Sequence, residues 1–174
     1  MDIKQIRAKK SMKLLFLLLT ALVIGAASAT TYSYLYMNGT VTVGSQQLVW
    51  IKGSGAPSGT TISGSTVTIG FNVQTAIPQN FTYVLYLKNL DTATHNVTIS
   101  VTTALPSADF TYAKMYTYDS NSTGSFLHTF DLTTINHYMF PSSMSNLDVY
   151  RMDFGINATA ASGSYTFNMQ VLYQ

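Results

Sequence analysis

Tyr165-Thr166-Phe167-Asn168-Met169-Gln170-Val171-Leu172-Tyr173 alternates, with Tyr165, Phe167, Met169, Val171 and Tyr173 on one face and Thr166, Asn168 and Gln170 on the other, Leu172 alone breaking the polar row. A period of two is the geometry of a strand with one buried face. The same period recurs upstream. Val67, Ile69, Phe71 and Val73 alternate with Thr66, Thr68, Gly70 and Asn72, and Val97, Ile99 and Val101 with Thr98, Ser100 and Thr102. Phe81, Tyr83, Leu85 and Leu87 are expected along one face of another strand. Tyr150, Met152, Phe154 and Ile156 mark a further one, whose outer face carries Arg151 and Asp153. Residues 48–51 read as a short strand buried on both sides, and 110–118 and 126–132 as additional strands. Glycine-, asparagine- and serine-rich turn signals at 53–59, 89–91, 119–124, 141–143 and 161–163 separate them. Short β-rich segments with turns about every ten residues predict an all-β chain. The expected fold is a single jelly-roll or immunoglobulin-like antiparallel β-sandwich with an extended N-terminal strand.

The first 29 residues have a different character. Lys4, Arg7, Lys9, Lys10 and Lys13 precede an apolar run over 14–24, and Ala27-Ser28-Ala29 follows. A basic region, a short apolar region and a small-residue site form the pattern of a secretory signal peptide. Cleavage is expected after Ala29, so that Thr30 begins the mature chain. An uncleaved anchor is the competing reading, but the apolar run, about 16 residues when 25–29 are counted with it, falls short of the roughly 20 that span a bilayer. A type IV pilin route would need processing before the apolar segment, and no Lys-Gly or Arg-Gly pair stands there. The expected organisation is a signal peptide at 1–29, an arm at 30–44 and a sandwich domain at 45–174. Contact with a membrane is expected only during export.

Beyond Ala29 the chain keeps four cations (Lys52, Lys88, Lys114 and Arg151) against six aspartates, and it has no glutamate and no cysteine. A basic stripe for nucleic acid is missing. Without cysteine there is no disulfide framework, so stability is left to the core and to assembly. A surface of Thr, Ser, Asn and Tyr with so few charges suits an assembled or glycosylated protein better than a free monomer.

Chemistry-bearing patterns are sparse. There is no G-x-S-x-G elbow, no cysteine nucleophile and no glutamate to pair with an aspartate, so no catalytic residues are assigned and the chain is not expected to be an enzyme. No cofactor is called for. Asp119-x-Asn121-x-Thr123 has the opening spacing of a calcium loop, but Phe130 stands where the closing glutamate belongs. His95, His128 and His137 lack metal-ligand spacing and read as turn or surface residues, so no metal site is assigned. An isopeptide cross-link would need a buried lysine beside an acid; Lys88 and Lys114 lie in expected strands.

Five Asn-x-Thr sequons begin at Asn38, Asn80, Asn96, Asn121 and Asn157. Asn80, Asn96, Asn121 and Asn157 are the candidate glycosylation acceptors, and Asn121 and Asn157, in or beside loops, fit that role best. Asn38 is set aside, because a glycan on the arm would obstruct its insertion. All twelve tyrosines and the one tryptophan follow the signal region. They suit either a core and subunit contacts or a stacking platform for sugar rings.

The arm itself reads Thr30-Thr-Tyr-Ser-Tyr-Leu-Tyr-Met-Asn-Gly-Thr-Val-Thr-Val-Gly44. Tyr32, Tyr34 and Tyr36 share one face, and Leu35, Met37, Gly39, Val41 and Val43 the other, so both faces seek partners. Two readings fit: a first strand of the chain's own sandwich, or a donor strand laid into a neighbouring subunit by β-strand addition. In the second, Gly39 would let two backbones approach closely. The head-to-tail contact would not close on itself and would build a filament.

The tract Tyr83-Val84-Leu85-Tyr86-Leu87-Lys88-Asn89-Leu90-Asp91 leading to Val97-Thr98-Ile99, with the closing Ser162-Gly163-Ser164-Tyr165-Thr166-Phe167, resembles TasA/camelysin-type matrix fibre proteins. The plan of secretion signal, N-terminal arm and one jelly-roll is similar to archaeal bundling pili. Leu48-Val49-Trp50-Ile51-Lys52 and Phe167-Asn168-Met169-Gln170-Val171-Leu172 resemble archaeal cannula proteins. The resemblance implies an extracellular structural subunit that polymerises with itself, head to tail, through an N-terminal donor strand. Tyr34, Leu35, Met37, Gly39, Val41 and Val43 would be the inserted residues. Other filaments or cell-surface components are expected as further partners. The alternative is a monomeric cell-surface adhesin or carbohydrate-binding module.

Overall fold

The computed structural model describes residues 34–43, 47–120, 124–159 and 163–174, with side chains omitted at 34–36, 42 and 43. Eleven strands account for nearly all of the regular structure. They are β1 (Tyr34–Val43), β2 (Leu48–Lys52), β3 (Thr61–Ser63), β4 (Thr66–Gln74), β5 (Gln79–Asn89) and β6 (Val97–Thr103), then β7 (Phe110–Asp119), β8 (Phe126–Asp131), β9 (Asn136–Met139), β10 (Val149–Ala158) and β11 (Gly163–Tyr173). A single 3-10 turn, Ser107–Asp109, precedes β7. Among the described residues, no helix is long and apolar enough to cross a membrane.

The strands form two sheets packed as a sandwich, one ordered β3-β4-β1-β11-β6-β9 and the other β2-β5-β10-β7-β8. The predicted alternation builds the core. Val67, Ile69, Phe71 and Val73 of β4 and Phe167, Met169 and Val171 of β11 are buried, as are Val97, Ile99 and Val101 of β6. From the other sheet they meet Leu85, Leu87, Met115, Met152, Phe154 and Ile156. Phe154 bridges the layers, with ring centroids 5.0 Å from Phe71 and 6.4 Å from Phe167.

Strand order reveals the underlying plan. With β1 set aside, the sheets read β4-β11-β6-β9 and β5-β10-β7-β8. Eight consecutive strands interleaved in this way across two sheets are a jelly roll built of two Greek keys. The strands β2 and β3 extend its edges, and β1 is intercalated between the first and last strands of the roll.

Three expectations need correction. The segment 48–51 is not buried on both sides: β2 is an edge strand, with Leu48 and Trp50 inward and Ile51 41% exposed. On β5 the single apolar face breaks. A bulge opposite Asp153 shifts the register between Phe81 and Leu85, turning Tyr83 outward (47% exposed) and burying Val84. Asp153, on the outer face of β10 as expected, is only 6% exposed and pairs with Arg151 at 3.2 Å. His95 is not a surface residue: it is buried, bonded through Nε2 to Asp91 at 2.9 Å and set edge-on to Tyr173.

Buried Asn89 holds the loops at this end together. Its amide donates to the carbonyls of Ala93, Met144 and Ser145, and its Oδ1 accepts from the backbone N–H of Asp91. Hydrogen-bonding a buried amide on both sides avoids the cost of leaving its polar atoms unpaired.

Candidate functional site: the arm and its groove

β1 pairs with both walls of a groove. It runs antiparallel to β4 in a register from Tyr34↔Gln74 to Thr42↔Thr66, and parallel to β11 from Leu35↔Gly163 to Val43↔Val171. Since β1 is antiparallel to one neighbour and parallel to the other, β4 and β11 are antiparallel to each other across it. At 4.7–4.9 Å per strand spacing, the gap that β1 fills is about 9.5 Å wide. Among the pairings of the eleven strands, β1–β11 alone is parallel. The arm has no hairpin to either wall, because β2 and β3 intervene before β4 and β11 ends the chain. It is held in the sheet by main-chain ladders rather than by a local turn.

Three inward rows cross the groove. Met37 lies between Phe71 and Tyr165, Gly39 between Ile69 and Phe167, and Val41 between Val67 and Met169. Met37 and Val41 are buried, each contributing roughly 1.5–3 kcal/mol by removing apolar surface from water. Gly39 acts differently from the expected approach of two backbones. A Cβ there would overlap the tip of the Phe167 ring, which lies fully buried beneath the arm. The glycine is the socket for that ring, and the ring covers the gap left by the missing side chain.

The outward rows are polar: Gly70–Asn38–Thr166 and Thr68–Thr40–Asn168. The arm is therefore amphipathic in place, with Asn38 exposed on the solvent side. A glycan on Asn38 would project away from the core, and the obstruction expected from the sequence does not arise on this face.

Of the assigned arm residues, Met37, Gly39 and Val41 meet on the core side. The side chains of Tyr34, Leu35 and Val43 lie outside the described residues, as do Ala29 and Asn121. Asn80 and Asn96 are exposed, and the Asn96 Oδ1 accepts from Ser143 at 2.7 Å. Asn157 is half-buried on β10 opposite Tyr112. Phe130, at the closing position of the calcium-like spacing, is fully buried in the core. Among the described residues no group of three or more His, Cys, Asp or Glu side chains could hold a metal. His128 stacks on Tyr138 at 3.7 Å, and its desolvation holds the imidazole below its ordinary pKa.

The alternation over 34–43 is visible in the sequence as a strand, but the groove that holds it is not. The walls are β4 and β11, the two most regular alternating strands, yet regularity does not reveal which strands stand beside a gap. Comparison with models of known protein families gives no match, and comparison with curated proteins gives none either.

Proposed function

We propose that the chain is the structural subunit of an extracellular filament, in which the arm of one subunit fills the β4/β11 groove of the next. The reading rests on one observation: β1 is intercalated between the first and last strands of an otherwise complete jelly roll, without a hairpin to either. A strand held in this manner can be supplied by another copy in the same register and with the same side-chain rows. The exchange creates no new kind of contact. An exchanged arm makes a heterologous contact that does not close, so copies add head to tail. The low charge of the chain beyond residue 29 fits a surface that stacks against copies of itself.

Electron microscopy of the exported chain, beside a form starting at Gly44, tests the reading. The exported chain should form long fibres. The shortened form should not, and a synthetic peptide of residues 30–43 added in trans should bind it saturably and raise its melting temperature. A shortened form that is as stable as the parent and indifferent to the peptide would remove the arm from the assembly.

A further inference from the structure

On the outer face of the five-stranded sheet, far in the fold's logic from the arm, several costly features meet at one place. Tyr83 has φ +57°, a left-handed conformation that a bulky L-residue adopts only under strain. It sits in the β5 bulge with its backbone N–H donated to Asp153 Oδ1 at 2.7 Å. The carbonyls of Tyr83 and Val84 are taken by the N–H groups of Gly55 and Gly53. Arg151 pairs with the same carboxylate and lies over the rings of Tyr83 and Tyr118, at 4.7 and 4.3 Å from their centroids. Desolvating an ion pair brings little net stability by itself. A sheet face that only had to meet water would need neither the bulge, nor the left-handed tyrosine, nor the buried pair.

Beside this cluster is a depression of about 180 Å³ between β5, β7 and β10. Tyr116 and Tyr118 supply aromatic surface to it, and Asn80, Thr82 and Asp153 supply polar groups. Gly155 shapes one side of it: a Cβ there would stand 3.1 Å from the Tyr116 ring and 3.2 Å from Asn80 Oδ1, so the glycine leaves both in place. The volume corresponds to about six waters at roughly 30 Å³ each, the size of one sugar ring and well below a drug-sized site.

We propose that this depression binds a single neutral pyranose. The Arg151–Asp153 pair neutralises itself, so the site favours neither an anion nor a cation. A neutral ligand remains, with an apolar face for the tyrosines and hydroxyls for Asn80, Thr82 and Asp153. A pyranose has both. The site lies wholly on the sheet that lacks the arm, so it stands or falls independently of the filament reading.

The sugar could come from another molecule or from a glycan on Asn80 itself, which begins the sequon Asn80-Phe81-Thr82. Saturation-transfer NMR on the exported chain from a host without N-glycosylation tests the first source. The probes are methyl glycosides of glucose, galactose, mannose, N-acetylglucosamine and N-acetylgalactosamine. At least one should receive saturation and show millimolar or tighter binding, falling at least fivefold in Tyr116→Ala and in Asn80→Ala but not in Tyr112→Ala. Peptide mass mapping of the chain from its own source tests the second, by a glycan on Asn80. Transfer lost in both pocket variants supports a pyranose site filled from another molecule, and a glycan on Asn80 supports one filled from within only if Tyr116→Ala lowers the melting temperature of the glycosylated chain more than that of the unglycosylated one. No transfer to any probe together with an unmodified Asn80 overturns it, as does transfer that persists in both pocket variants.

Discussion

Gly39 and Phe167 form one unit although they lie at opposite ends of the chain. The ring occupies the position of the missing side chain, so the pair fixes the arm's register as well as its packing. Gly39→Ala should destabilise the folded chain by about 1–3 kcal/mol through overpacking, read as a lower urea midpoint at unchanged slope. Adding Phe167→Leu should recover part of that loss, since residues in contact are coupled by roughly 0.5–3 kcal/mol. A neutral Gly39→Ala would show that the ring is free to move aside. Tyr150 offers a second test. Burial pushes its phenol up to about 12, helped by the charges of Asp119 and Asp148, while its hydroxyl donates to the Ser142 carbonyl. An unfolded tyrosine titrates near 10, so this contribution is complete below that pH and is lost as pH rises through about 12. Tyr150→Phe should make the alkaline loss of stability shallower between these values, measured by thermal melts across pH 9–12.

Among the elements, the strands β4, β6 and β11 were legible because a half-buried strand must alternate and theirs largely do, and β10 because its apolar residues alternate even though Asp153 and Gly155 between them are also buried. β5 was not, because its bulge at 82–84 depends on Asp153 seventy positions away and leaves no local mark. β3 and β9 span three and four residues, too few to establish a period. Whether residues 48–51 lay at an edge or in a sheet centre was equally hidden, since that depends on pairing rather than composition. The arm's inner face could be read from Met37, Gly39 and Val41; its walls could not, because both pairings are remote in sequence. Relocating the arm tests its autonomy as an element. A chain starting at Gly44, with residues 30–43 fused after Gln174, needs a linker that runs back along β11, because the inserted strand is parallel to it. That return covers about 36 Å for eleven residues at strand rise, so about 15 Gly/Ser residues suffice. The expected product is a folded monomer as stable as the parent that forms no fibres, by calorimetry and light scattering. Fibres from this closed form would mean that assembly uses another surface.

For the whole molecule, the self-closed and the exchanged arm make the same ladders and fill the same rows. In the proposed filament the balance between monomer and polymer is then set by concentration rather than by contact chemistry. Polymerisation should therefore depend steeply on concentration during folding. Chains refolded when dilute should remain closed monomers, and chains refolded when concentrated should form fibres that dilution alone does not dissolve, which sedimentation would reveal. The outer faces carry different chemistry. The six-stranded sheet presents threonines and amides around Asn38, and the five-stranded sheet presents the tyrosine and Arg151 cluster. A filament built through the groove would leave the second face free to bind sugar.

The most direct measurement of arm exchange uses the absence of cysteine. Thr40 on β1 and Thr68 on β4 are directly paired on the outer face of the sheet, so Thr40→Cys with Thr68→Cys places one thiol on the arm and one on the groove wall. Oxidised fibres run on a denaturing, non-reducing gel should give a ladder of covalent multimers that collapses to a single band on reduction, while either single variant gives no species beyond a dimer. If the doubly substituted chain cross-links only within itself, and runs as a monomer after assembly, each arm remains in its own groove and the donor-strand account is wrong.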